Sequence, residues 1–254
     1  MSVRFYLSII CLFQIIVFHS IAQEPESKFK TGQYTVETTS REILGPELAA
    51  SFESVIKQNE TIKWTIFVPE NYDPAFPPGM IVHMTQRNLA KMPIGWASVL
   101  KDKNMIWISL NKVGTLKRNK EMMLSVLATP YIQERYKINN NRIYLVASAD
   151  SCYAASAAMQ VYPDIFKGAI YSTCEALNWK KDIPDTIDKM KKNRYVFVSS
   201  KEKDIGQIVR RSVRKYEDAG ITKIKYLKLQ ELVYGRNFSR RRLNQTIELL
   251  DDLN

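Results

Sequence analysis

The sequence predicts an α/β fold, a mostly parallel sheet flanked by helices, and three observations carry that prediction. Short β-branched or apolar runs alternate along the chain with stretches whose apolar residues recur at helical spacing. Some runs, residues 80–84 and 105–110 among them, are apolar at nearly every position, the pattern of strands buried on both faces. The 254 residues, 45% hydrophobic and 11% aromatic, supply one sizeable core, and no internal repeat divides them.

The elements follow in order. Arg4 precedes an apolar run from Phe5 to Phe18, and Ser20-Ile21-Ala22 closes it with the small residues a signal peptidase reads. That order is that of a secretory signal over residues 1–22, with cleavage expected after Ala22 and an extracytoplasmic location for the mature protein. The run is shorter than the roughly 20 residues of a spanning helix, so no transmembrane segment is expected in the mature chain; an uncleaved anchor is the alternative. Residues 23–32 are polar and read as a flexible leader, leaving 33–254 as one folded domain. Strands are expected at 62–68, 80–84, 105–110, 143–147, 168–171, 195–199 and 224–229. Helices are expected between 119 and 136, where Pro130 should introduce a kink, and at 152–161, 183–192, 205–219 and 241–253. In such sheets ligands bind beyond the carboxyl ends of the strands.

Charge and composition narrow the function. The chain carries 37 Lys+Arg against 26 Asp+Glu, a formal charge of +11, which suits anionic surroundings without naming a partner. Two histidines and three cysteines leave too few ligands for a zinc site, and neither a metal nor a cofactor is expected. Basic clusters occur at Lys189, Lys191, Lys192 and Arg194, at Arg210, Arg211, Arg214 and Lys215, and at Arg240-Arg241-Arg242. No nucleic-acid motif accompanies them, so they read as solvated surface, or as a patch for an anionic polymer. With the signal removed, Cys152 and Cys174 are the remaining cysteines, either bridged or two buried thiols. Asn59, Asn237 and Asn244 each open a glycosylation sequon.

Several phrases resemble a known family. Phe67-Val68-Pro69-Glu70-Asn71-Tyr72-Asp73 followed by Pro77-Pro78-Gly79-Met80-Ile81-Val82 is similar to the entry of secreted α/β-hydrolase esterases, those like feruloyl esterases and polyhydroxybutyrate depolymerases. The segment from Tyr136 to Leu145 resembles the approach to their nucleophile elbow, and Tyr162-Pro163-Asp164-Ile165-Phe166-Lys167-Gly168 resembles the exit from the following helix. The resemblance covers residues 62–254 and implies the α/β-hydrolase fold.

At the site the chain departs from the family. The resemblance places a G-x-S-x-G turn over Ala147-Ser148-Ala149-Asp150-Ser151, with Ala149 where the nucleophilic serine belongs. Asp204 falls at the position of the triad acid, and Arg236 at that of the histidine base. Arginine stays protonated and cannot act as a general base. Arg236 and Asp204 are therefore expected to form a charge-assisted pair. His83 lies inside an expected strand and reads as structural. Thr85 and Gln86 stand where the family often carries His-Gly. Together with Ser148, Asp150, Ser151 and Cys152 they are candidates to line the cleft, with Asp150 expected to cap the following helix. The expectation is a secreted hydrolase-fold protein that has lost its triad and binds a small molecule or an anionic polymer. The alternatives are an esterase with an unorthodox nucleophile, Ser148 or Cys152, and a basic envelope or matrix protein.

Overall fold

The structure is a computed structural model that describes residues 29–85, 90–111, 116–179 and 182–253, without the side chain of Lys203. The expected signal, the leader up to residue 28 and Gln86 lie outside the described residues. Strands β1 (Gly32–Thr38), β2 (Ile62–Val68), β3 (Gly79–Met84), β4 (Met105–Leu110), β5 (Ile143–Ser148), β6 (Gly168–Ser172), β7 (Arg194–Ser199) and β8 (Ile224–Lys228) form one sheet. Its order is β1-β2-β4-β3-β5-β6-β7-β8. β2 runs antiparallel to β1 and β4, and the remaining pairs are parallel.

Two apolar layers explain why the central strands read as unbroken apolar runs. Met80, Val82, Leu145, Ala147, Ala169, Tyr171 and Phe197 face one core. There they meet residues of α4 (Arg118–Gln133), α5 (Ser151–Val161) and α7 (Lys203–Asp218). Alternate residues, Ile81, Tyr144, Val146, Ile170, Val196 and Val198, face a second core. That core is covered by α3 (Trp96–Asp102) and α8 (Arg240–Asp252) through Trp96, Val99, Leu100, Leu243, Ile247 and Leu250. The period-two alternation thus feeds both faces, and each face is closed by helices.

Three features differ from expectation. Residues 29–32 are docked rather than flexible: Phe29 packs edge-on against Tyr72 at 4.9 Å, and the Tyr136 hydroxyl donates to the Lys30 carbonyl at 2.5 Å. β1 follows at once, its side chains alternating half-buried and exposed, with α1 (Ser40–Leu44) and α2 (Pro46–Ala50) behind it. The expected helix 183–192 shrinks to α6 (Ile187–Met190), because the chain turns at Pro184, which offers no amide hydrogen. α4, expected between 119 and 136, spans Arg118–Gln133 with Pro130 inside it, in agreement with the sequence. Among the sequons, Asn59 is exposed, whereas Asn244 sits inside α8 with its Thr246 fully buried.

Candidate functional site

The turn from β5 into α5 is the centre of the site. Its apex, Ala149, has φ +52°, a left-handed conformation that costs an L-residue about 1 kcal/mol. The Ala149 amide donates to the Ser172 carbonyl at 3.1 Å, tying the apex to the end of β6. The amides of Cys152 and Tyr153 donate to the carbonyls of Ala149 and Asp150, both at 3.2 Å, so the helix begins immediately. A second strained residue stands beside the first. Thr173, just past β6, has φ +49°, and a β-branched residue is rare there.

Two neighbours of the apex, Cys152 and Ser151, are bridged or buried. Cys152 and Cys174 are bridged, with Cα atoms 5.7 Å apart, so the first turn of α5 is stapled to the segment after β6. The question left open by the sequence is resolved toward the disulfide, and Cys152 carries no free thiol. Ser151 is fully buried on the side of α4, next to the carboxyl of Glu121. Neither Ser151 Oγ nor Glu121 Oε1 completes a well-formed hydrogen bond. Burial pushes the Glu121 carboxyl above the usual range; the Ser151 hydroxyl opposes this, the nearby Asp150 charge adds to it, and Arg118 opposes it.

Two site expectations fail. Asp150 occupies the N-cap position but makes no side-chain cap bond. Its backbone is already helical, φ −68° and ψ −27°, whereas a capping residue needs an extended backbone to turn its side chain back onto the first amides. Arg236 and Asp204 form no ion pair among the described residues. Asp204 lies in the first turn of α7, exposed on its solvent side. Arg236 belongs to a turn held over the sheet, its amide bonded to the Val233 carbonyl at 3.1 Å. The Gly235 amide, φ +66° at that glycine, donates to Thr173 Oγ1 at 3.4 Å.

That turn packs beside the elbow. Arg236, Asn237 and Phe238 come down on Ser148, Ala147 and Ser172, and the cavity left between them and His83 measures about 10 Å³. Such a space holds about one water. The Phe238 carbonyl accepts from the Trp96 indole at 2.9 Å, fixing the turn to the second core. His83 is buried beside Trp96 and Trp107, ring centres 4.9 and 5.9 Å away. Thr85 is buried at the end of the same strand. Tyr234 was not anticipated: its hydroxyl faces Glu175 and Asp150, and burial first, then Glu175, hold its proton far above the ordinary phenol range. The Tyr234-Gly235 pair is the one sequence signal for that turn.

Among the described residues no cluster of His, Cys, Asp or Glu could hold a metal ion, and no helix is long and apolar enough to cross a membrane.

No family model and no curated protein sequence matches the chain. Solved structures do. A Bacteroides ovatus protein described as a dipeptidyl aminopeptidase IV aligns with 87% of this chain at 15% identity and a TM-score of 0.59. A thermostable esterase aligns with 78% at 14% identity and 0.60, and a ferulic acid esterase with 89% at 10% and 0.58. The alignment spans 36% of the first, 59% of the second and 100% of the third. The chain therefore has the α/β-hydrolase fold.

Proposed function

We propose that this chain is an exported α/β-hydrolase-fold protein without hydrolase activity, serving a binding or partner role. The observation that carries the proposal is Ala149: a methyl group occupies the apex of a turn whose strained backbone displays a nucleophile in active hydrolases. The surroundings agree with it. Arg236 cannot accept a proton, Cys152 is bridged, and Ser151 is buried. An acyl substrate meets a methyl group at the apex and no free thiol at Cys152. Export rests on the order of residues in 1–22, and N-terminal sequencing of protein recovered outside the cytoplasm should begin at Gln23.

The direct test is hydrolysis of p-nitrophenyl acetate together with labelling by a serine-directed fluorophosphonate. The expected outcome is no turnover above a heat-denatured control and no adduct by mass spectrometry. Turnover that Ser148→Ala abolishes would establish the esterase alternative instead.

A further inference from the structure

The outer face of α7 gathers three cations into one cluster. Gln207, Arg210, Arg211 and Arg214 are exposed at i, i+3, i+4 and i+7, and together they line one recess of about 270 Å³. Several exposed cations elsewhere have carboxylate partners: Lys57 meets Glu53, Lys101 meets Glu70, and Lys189 meets Asp164 at 2.5 Å. Arg240 and Arg242, in the basic cluster that opens α8, are likewise paired, with Asp102 and Glu231. The three arginines of α7 make no ion pair or hydrogen bond among the described residues. Glu217 and Asp218, one turn beyond Arg214, do not reach it. Like charges at these spacings repel by a few tenths of a kcal/mol per pair, so the face lowers helix stability and gains nothing inside the molecule.

We infer that this face docks an acidic polysaccharide. Guanidinium groups offer forked donors that match carboxylate oxygens, and Gln207 adds an amide that can both donate to and accept from sugar hydroxyls between the charges. A lipid surface fits less well, since no large apolar side chain is exposed on α7. A nucleic acid would find no exposed aromatic ring on α7 on which to stack a base, since Tyr216 is fully buried. The inference deepens the binding role proposed above but does not depend on the elbow, and activity in the esterase assay would leave it standing.

The experiment titrates the full-length mature protein with polygalacturonate by calorimetry at 20 and 200 mM NaCl. Binding is expected at low salt, weakening as salt screens the charges. Arg210→Gln/Arg211→Gln/Arg214→Gln should bind at least tenfold more weakly with an unchanged melting temperature. Lys57→Gln/Lys101→Gln/Lys189→Gln, which removes the same charge elsewhere, should stay within twofold of the parent. Absence of binding at 20 mM NaCl, equal weakening in both triple variants, or tighter binding to duplex DNA or phosphatidylserine vesicles would overturn the proposal.

Discussion

Ala149 holds a left-handed backbone with no more than a methyl group as its side chain. Its φ of +52° is strain without a hydroxyl to present. Ala149→Gly should relieve about 1 kcal/mol of that strain against a smaller entropic loss, for a net gain of about 0.5 kcal/mol in urea denaturation. A loss of stability instead would mean the turn is not strained. Glu121 carries the opposite kind of cost. Burial raises its pKa in the folded state, so its contribution to stability is complete below the ordinary carboxylate pKa and is lost as pH rises through the raised value. Glu121→Gln should therefore raise the melting temperature at pH 7, with the gap to the parent closing near pH 4. A gap independent of pH would show that the carboxyl is not titrating as placed.

At the scale of elements, the staple and the lower edge of the sheet matter most. The Cys152–Cys174 bridge closes a sequence separation of 22 residues that includes most of α5 and all of β6. Removing both thiols as Cys152→Ala/Cys174→Ala should cost about 3 kcal/mol, read from the denaturant midpoint. At the opposite end of β5, Asp251 on α8 accepts from Arg142 Nε and Nη2 at 3.0 and 2.8 Å and from the Tyr144 hydroxyl at 2.7 Å. Asp251→Ala leaves a half-buried guanidinium short of its partner and should destabilise by about 2 kcal/mol, measured in the same way. These two ties hold β5 at both ends, which keeps the elbow in place.

At the scale of the whole molecule, placement of distant segments decides whether a change of residue types would create chemistry. Ala149→Ser/Arg236→His supplies a nucleophile and a base, yet Arg236 forms no ion pair with Asp204, so a histidine there lacks the acid that would orient it. The double variant should show no turnover of p-nitrophenyl acetate; activity would mean that a histidine at position 236 finds an acid partner in solution.

Legibility follows burial. β3, β4 and β5 are readable from the sequence because both of their faces are buried, and a short unbroken apolar run between turn residues suits a doubly covered strand. β1 escapes such a reading because it is an edge strand with one half-exposed face, and its first residues are as polar as a leader. The apex register comes from the fixed spacing between a strand and its helix, so counting along the chain locates Ala149. Arg236 and Asp204 cannot be paired by counting. Which way each points depends on where α7 begins and on a turn held by Gly235 and Thr173.

By itself, then, the chain's pattern determined a doubly covered sheet and an alanine at its strand-to-helix turn, because periodicity and residue type are local properties. Tertiary structure alone decided the disulfide, the absent Arg236–Asp204 pair and the packing of the turn at Arg236–Phe238 against β5. Each of these depends on distances between segments far apart in sequence, which packing sets and spacing does not record.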